Sequence, residues 1–267
     1  MGTIRTTYGD SDEVQVDRTD AIAVLTLNRP GKLNALAAGM TDLILQALND
    51  IGADDTVRAV VLTGAGKSFC TGMDMSVGMD RDVPDPVVAL HRRLRTGVSI
   101  ILQLRAMPQP VIAAVRGHAV GAGFAFAAAC DVRFAAPDAR FHAVFTAIGM
   151  SAGDLGLSWT LPRLIGPSAA SEVLLSAGVV TAEQAAEWAL VSRVTDDPLT
   201  AAIALADRIA AQPPFGVRMS KELLSASLGA GGFREHLEIE WRSQVLCGLT
   251  DGHADATRAF AERRRVR

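Results

Sequence analysis

Several features that mark particular classes of protein are scarce in this chain of 267 residues. Its three cysteines, Cys70, Cys130 and Cys247, show neither a pairing pattern nor the spacing of metal ligands. We therefore expect buried, reduced thiols, no metal site and a cytoplasmic protein. The longest apolar run, residues 119–130, is far shorter than the roughly 20 residues that cross a bilayer. The first residues also lack a signal-peptide pattern, so we expect no membrane partner.

An excess of charge of one sign is also missing. The net charge is −3 and the isoelectric point is near 6.0, which favours neither nucleic acid nor an anionic membrane as a partner. Hydrophobic residues make up 49% of the chain and charged residues 21%, as is ordinary for a globular protein. The length predicts one or two domains with a sizeable core.

Strand and helix patterns alternate along the first part of the chain. Alternating or continuous apolar runs predict strands, and apolar residues at helical spacing predict helices. The predicted strands are residues 14–18, 21–27, 57–62, 111–115, 132–135, 139–143 and 190–194. The predicted helices are residues 36–51, 86–105, 122–129 and 157–164. Residues 75–88, with glycine, proline and several aspartates, predict a mobile loop or short helix beside a site.

From residue 198 onward the pattern is helical only. The predicted helices there are residues 199–211, 216–227, 233–249 and 255–265. The sequence therefore predicts an α/β protein with a core over residues 1–197 and a helical C-terminal region over residues 198–267.

Two segments, residues 67–75 and 116–126, carry the strongest indication of function. Each runs from a strand through a glycine turn into a helix-forming stretch. Such turns leave backbone N–H groups free, where they can bind an anion or a polarised carbonyl. If the two turns face each other, they form an oxyanion hole from main chain alone. No side chain between Gly121 and Ala129 can transfer a proton.

Five segments in a fixed order resemble the crotonase, or enoyl-CoA hydratase/isomerase, superfamily. They are residues 27–36, 60–74, 110–131, 149–166 and 181–194. The resemblance implies a crotonase-like spiral of ββα repeats with an all-helical C-terminal trimerisation region. It also implies a homotrimer or a hexamer built as a dimer of trimers. The implied ligand is an acyl-CoA thioester, so that coenzyme A is part of the substrate and no separate cofactor is expected.

The resemblance also assigns residues to the site. The backbone N–H groups of Met73 and Ala122 correspond to the oxyanion donors, which stabilise a thioester carbonyl as it becomes an enolate. The positions that correspond to coenzyme A contacts are Lys32, Asn34, Ala35, Leu36, Gly72, Asp74, Met75, Phe260 and Arg263. Two of these assignments have alternatives: Asp74 can instead be structural, and Arg263 can belong to a solvated basic tail.

Both glutamates that hydratases of this superfamily use are replaced. Their positions correspond to Ala125 and Phe145, which cannot transfer protons. Asp154 corresponds to the aspartate that dienoyl-CoA isomerases use as a base and that aroyl-CoA dehalogenases use as a nucleophile. The alternative role for Asp154 is an N-cap of the predicted helix 157–164.

Two functions therefore remain open. The first is an enzyme of the enoyl-CoA hydratase/isomerase type, in which Met73 and Ala122 hold an enolate and Asp154 moves the proton. The second is a non-catalytic acyl-CoA binding protein on the same fold, which the loss of both glutamates favours. A dehalogenase-like reaction is a weaker third alternative, because the helper histidine of that enzyme has no counterpart.

Overall fold

The computed structural model describes residues 2–10, 12–77 and 84–265. Its main feature is a seven-stranded mixed sheet in the order β1-β2-β3-β4-β5-β7-β10, beside a three-stranded sheet in the order β6-β8-β9. The strands are β1 (Ile4–Tyr8), β2 (Val14–Thr19), β3 (Ile22–Leu27), β4 (Ala59–Gly64), β5 (Val111–Val115), β6 (His118–Val120), β7 (Val132–Ala135), β8 (Arg140–His142), β9 (Val179–Thr181) and β10 (Arg193–Val194). Strands β1 to β3 are antiparallel, and β3, β4, β5, β7 and β10 run parallel.

Helices cover the sheet and form the C-terminal part of the chain. They are α1 (Met40–Gly52), α2 (Pro86–Ala106), α3 (Ala122–Ala129), α4 (Leu157–Ile165), α5 (Pro167–Ser176), α6 (Ala182–Glu187), α7 (Pro198–Ala210), α8 (Pro214–Ser227), α9 (Phe233–Gly248) and α10 (Asp251–Arg265). Short 3-10 turns lie at Pro30–Lys32, Met75–Val77 and Val144–Ile148. Among the described residues, no helix is long and apolar enough to cross a membrane.

The central strands are apolar on both faces because helices cover both sides of the sheet. In β4, Val60 and Leu62 belong to the main core, whereas Ala59 and Val61 belong to a second cluster on the opposite face. Helix α7 closes that second cluster and packs against β3, β4, β5 and β7. The first helix of the C-terminal region therefore shares its core with the sheet.

Helix α3 is buried on every side, and all eight of its residues are inaccessible. Small residues make this burial feasible, because the neighbouring backbone approaches closely. A β-carbon on Gly123 would lie 2.2 Å from the carbonyl oxygen of Cys70. The helix is therefore fixed against the segment that contains the first glycine turn.

The sequence predictions of strands and helices are largely confirmed, although β10 is shorter than the predicted residues 190–194 and no bounds were predicted for α5 and α6. Further differences lie at three places. Helix α1 begins at Met40 and not at residue 36, because the backbone of Leu36 pairs with Met73 instead. Strands β1, β6 and β9 were not predicted. The loop predicted at residues 75–88 is only partly visible, since residues 78–83 lie outside the described residues.

Candidate active site

The buried side chain of Asn34 holds the loop after β3 against the first glycine turn. Its amide nitrogen donates to the carbonyl oxygens of Ala65 at 2.9 Å and Ser68 at 2.7 Å. Its amide oxygen accepts a hydrogen bond from the backbone N–H of Arg29 at 2.8 Å. All three bonds are internal, so this side chain organises the loop and does not face a ligand.

A short parallel bridge between Leu36 and Met73 orients the first turn. The N–H of Leu36 donates to the carbonyl of Gly72 at 2.7 Å, and the N–H of Asp74 donates to the carbonyl of Leu36 at 3.1 Å. Met73 lies between these two bonded residues, and in a parallel bridge of this pattern its own N–H points away from the strand of Leu36. The N–H of Met73 donates to no acceptor among the described residues.

The second turn leads from β6 into α3 through Gly121. This glycine has a φ of +53°, which side chains rarely adopt, and its N–H donates to the carbonyl of His142 at 2.9 Å. Ala122 is the first residue of α3, where an N–H group has no partner within the helix. Its N–H also has no other acceptor in the described part of the chain.

The two turns lie side by side. Cys70 pairs with Ala119, with its N–H donating to His118 at 3.0 Å and its carbonyl accepting from Val120 at 2.9 Å. Two residues further on, a β-carbon on Gly72 would lie 3.6 Å from the backbone nitrogen of Ala122. The structure therefore brings the segments that carry Met73 and Ala122 together, each with a backbone donor left free.

The opposite end of α3 is held by a buried arginine. The guanidinium of Arg133 donates to the carbonyls of Cys130 at 2.6 Å and Leu190 at 2.6 Å. Burial lowers the pKa of Arg133 from its ordinary value. A cation at the C-terminal end and free N–H groups at the N-terminal end agree with the direction of the helix dipole.

Apolar side chains surround the N-terminus of α3. Ala125 is 2% exposed and Phe145 is 4% exposed. The ring of Phe145 lies 3.8 Å from the position of a β-carbon on Gly121, so it packs directly against the second turn. The two positions that the sequence predicts to correspond to the hydratase glutamates are thus buried and apolar.

Asp154 lies in the turn before α4. Its carboxyl is partly buried, and the loss of solvation raises its pKa, an effect that the backbone N–H of Leu155 partly offsets. It forms no ion pair with another described residue. The turn packs on α2, since a β-carbon on Gly97 would lie 2.8 Å from a methyl group of Leu155.

The alternative prediction that Asp154 caps α4 is wrong. The N-cap residue is Gly156, in a left-handed conformation, and no side chain caps this helix. The backbone carbonyl of Asp154 accepts from Leu157 at 3.0 Å, but its carboxylate is not used in this way. The structure therefore leaves Asp154 as a partly buried carboxylate without a capping role.

The residues predicted to contact coenzyme A fall into two groups. Lys32, Ala35 and Leu36 lie on the loop that pairs with the first turn, next to Gly72, Asp74 and Met75. The side chains of Lys32 and Met75 are exposed on this wall. Phe260 and Arg263 are exposed on α10, which packs on α8 and α9.

The carboxylate of Asp74 is used within the protein. It accepts hydrogen bonds from the backbone and hydroxyl of Ser76 and lies 3.2 Å from the guanidinium of Arg29. The Ser76 donors, followed by Arg29, hold the pKa of this carboxyl below its usual value. The sequence analysis did not identify Arg29 as the partner of Asp74. Its signal is an arginine in the loop between β3 and the first turn, where a partly buried guanidinium needs a carboxylate nearby.

Comparisons with known proteins agree on one family. The model of the family described as enoyl-CoA hydratase/isomerase matches residues 17–267. A protein of Mycobacterium leprae named probable enoyl-CoA hydratase is 40% identical over 250 residues, which are 91% of this chain and 85% of that protein. The 1,2-epoxyphenylacetyl-CoA isomerase of Escherichia coli is 34% identical over 251 residues, or 91% of this chain and 93% of that enzyme.

A solved structure supports the same assignment. The crystal structure of a probable enoyl-CoA hydratase/isomerase from Mycobacterium abscessus superimposes with a TM-score of 0.86 at 41% identity, covering 94% of this chain and 96% of that one. The fold is thus that of the crotonase superfamily, as the sequence segments predicted. The chain belongs to the enoyl-CoA hydratase/isomerase family.

Proposed function

We propose that this protein is an acyl-CoA enzyme that isomerises its substrate through a thioester enolate. The adjacent turns support this most directly, because the N–H groups of Met73 and Ala122 are both without an acceptor in the described part of the chain. Fixed donors of this kind stabilise charge that develops on a carbonyl oxygen, and each is worth about 3 kcal/mol of barrier.

Asp154 is the proposed proton carrier. Its carboxylate takes a proton from a carbon next to the double bond of an enoyl thioester, and the electron pair moves onto the thioester oxygen as a dienolate. Return of the same proton to the other end of the conjugated system shifts the double bond and restores the carboxylate. The reaction consumes no water, and a raised pKa suits a group that both accepts and releases a proton.

Hydration of an enoyl thioester fits this site less well. A hydratase of this superfamily positions water with two glutamates, and the corresponding residues are the buried Ala125 and Phe145. Each lost acid or base costs about 100-fold or more in rate. The similarity to an enzyme named 1,2-epoxyphenylacetyl-CoA isomerase agrees with isomerisation of a coenzyme A thioester.

The contacts with coenzyme A are proposed from position. The nucleotide and pantetheine would lie along the wall formed by residues 32–36 and 72–75. Lys32 and Met75 would contribute side chains, while Asn34, Ala35, Leu36, Gly72 and Asp74 would shape the wall. Phe260 and Arg263 would reach a nucleotide from α10, and a cation there complements phosphate charge.

A trimer, or a hexamer of two trimers, is the proposed assembly. Large apolar side chains remain exposed on α8, on α9 and just after it, and on α10. They include Leu224, Phe233, Trp241, Val245, Leu246, Leu249 and Phe260. Exposed apolar surface of this extent indicates an interface. Light scattering should give three or six times the 28.1 kDa chain mass. Leu249→Asp should lower the measured mass, and a monomeric wild type would exclude the assembly.

The proposed reaction is tested by incubating the protein with enoyl-, dienoyl- and saturated acyl-CoA thioesters in D2O. Mass spectrometry then reports deuterium exchange and water addition, and NMR of the products locates the double bond. We expect a shifted double bond in wild type and in Asp42→Asn, an exposed aspartate on α1 that serves as the matched control. The Asp154→Asn variant should lose both exchange and isomerisation.

The second candidate, a non-catalytic acyl-CoA binding protein, is favoured by the apolar Ala125 and Phe145. It predicts binding of a thioester without any exchange or isomerisation in wild type. Isothermal titration in the same samples separates the two functions. Tight binding without turnover would indicate a binding protein, whereas weak binding without turnover would indicate an enzyme that was given the wrong acyl group. Release of halide from a halogenated aroyl-CoA would instead support the dehalogenase alternative.

A further inference from the structure

Arg29 joins the two strands of the bridge that presents Met73. One terminal nitrogen, Nη1, donates to the carbonyl oxygen of Ala35 at 2.6 Å and to the carboxylate of Asp74 at 3.2 Å. Ala35 precedes Leu36 and Asp74 follows Met73, so the two acceptors lie on opposite strands of the bridge. A single guanidinium group thereby fixes the spacing of both strands.

The carboxylate of Asp74 is held from the other side as well. Its Oδ1 accepts from the backbone N–H of Ser76 at 3.1 Å and from the hydroxyl of the same residue at 2.5 Å. Its own backbone N–H donates to Leu36 at 3.1 Å. Backbone and side chain of Asp74 are therefore both anchored, which leaves little freedom for the peptide group before it.

That peptide group carries the geometry of the first donor. The N–H of Met73 lies between two residues, Gly72 and Asp74, that are both tied to Leu36. Rotation of the segment would change the direction of this N–H, so the contacts of Asp74 oppose such a rotation. Arg29 also balances the charge of Asp74, which would otherwise stand uncompensated next to a site where negative charge develops.

We propose that Arg29 and Asp74 are positioning residues that aim the N–H of Met73 at the thioester oxygen. The inference rests on the proposed function, since it assigns the pair to the enolate step. It also gives Asp74 a different role from that of a coenzyme A contact. The pair acts through the backbone and touches no reacting atom.

The test uses acetoacetyl-CoA, a thioester that ionises to an enolate with its own ultraviolet absorption. Spectrophotometric pH titration of the bound ligand measures how strongly the protein favours the enolate. Affinity for butyryl-CoA, which is saturated and stays un-ionised, measures ground-state binding. The variants are Arg29→Gln, Asp74→Asn and the conservative Arg29→Lys, and thermal unfolding of each reports whether the fold is intact.

The matched control is Glu13→Gln. Glu13 lies 3.4 Å from Nε of the same guanidinium but takes no part in the bridge. We expect Arg29→Gln and Asp74→Asn to weaken enolate stabilisation by about tenfold or more, with butyryl-CoA affinity within about twofold of wild type. Arg29→Lys should recover part of the loss, and Glu13→Gln should resemble wild type.

Each other outcome has a defined meaning. If wild type itself does not favour the enolate, the proposed function fails and the pair has nothing to position. If wild type favours it and both variants do so equally, the positioning role is wrong. Parallel losses for both ligands would show a general structural role instead. Should either variant fail to fold, Arg29→Lys keeps a cation but not the guanidinium that bonds both Ala35 and Asp74, and an enolate titration equal to that of wild type there would overturn the inference.

Discussion

The backbone nitrogen of Ala122 lies 3.6 Å from the point that a β-carbon on Gly72 would occupy, and the carbonyl oxygen of Val120 lies 2.8 Å from the same point. Gly72 also has a φ of +79°, in the left-handed region. Glycine is therefore required here for two separate reasons, conformation and space. The approach of the two turns, and with it the arrangement of the proposed oxyanion donors, depends on this residue.

Gly72→Ala should reduce turnover strongly because the added methyl group pushes the two turns apart. We expect a loss of about 100-fold in kcat, the scale associated with one displaced oxyanion donor. The matched control is Gly39→Ala, since Gly39 has a φ of +81° but no atom of the described neighbours within 4 Å of its β-carbon position. Both variants should lose about 1 kcal/mol of stability through the left-handed backbone, and Gly72→Ala should lose more because its methyl group also meets the carbonyl of Val120. Equal kcat values for the two would contradict the prediction.

The pH dependence of turnover should report Asp154. Burial raises the pKa of this carboxyl above the ordinary 3.8, so the reactive carboxylate forms at a higher pH than for an exposed aspartate. The acid limb of the kcat profile should therefore lie above pH 3.8 and should be absent from any residual activity of Asp154→Asn. Stopped-flow or fixed-time assays across the acid range measure it.

Turnover should rise as Asp154 ionises with increasing pH, whereas the contribution of Asp154 to the free energy of unfolding should fall. Because the pKa of Asp154 is higher in the folded than in the unfolded state, its contribution is full below the unfolded pKa and is lost as pH rises through the folded pKa. At neutral pH the Asp154→Asn variant should therefore be at least as stable as wild type in urea unfolding. A clear loss of stability would indicate a structural role for this carboxylate.

Much of the fold could be predicted because its central strands are buried on both faces. Strands β4 and β5 are continuous apolar runs, and α3 is composed of small and aromatic residues without a polar face. Strands β6 and β9 have three residues each, too few to show an alternating pattern, and they are defined by pairing with β8. Their existence depends on contacts across the chain and not on local sequence.

Part of the candidate site could be located in the same way. Glycine turns are local, so the sequence indicated the two turns, and the family resemblance assigned Met73 and Ala122 within them. The partners of Asp74 are partly distant: Arg29 lies 45 residues away along the chain. The same holds for Lys221, whose acceptor Leu104 is 117 residues away. Such pairs leave no periodic pattern, so only the structure could identify them.

The three thiols should differ in reactivity. Cys70 and Cys130 are buried, and desolvation raises the pKa of each to about 12, whereas Cys247 is partly exposed on α9. The thiolate is the reactive form, so iodoacetamide at neutral pH should label Cys247 alone in the folded protein. Mass spectrometry should show one adduct under native conditions and three in denaturant, and Cys247→Ser should remove the native adduct. Native labelling of Cys70 would contradict the packing of α3 against the first turn.

Lys221 should be important for stability because it connects α8 to α2 and to the loops that precede β5 and β7. Its ammonium donates to the carbonyls of Leu104 at 3.0 Å and Gln109 at 2.8 Å, and it lies 3.0 Å from Asp131. Burial lowers its pKa, an effect that Asp131 partly offsets. Lys221→Met should cost about 3 kcal/mol, since it leaves buried acceptors and a carboxylate without their cation.

The control for Lys221→Met lies on the same helix. Arg218 forms an ion pair with Glu222, but both side chains are 54% exposed, and such surface pairs contribute about 1 kcal/mol or less. Urea unfolding should therefore separate Lys221→Met from Arg218→Ala. Adding Asp131→Asn to Lys221→Met should cost less than Asp131→Asn alone, because its partner is already gone. Fully additive losses would show that the ammonium acts through the two carbonyls and not through Asp131.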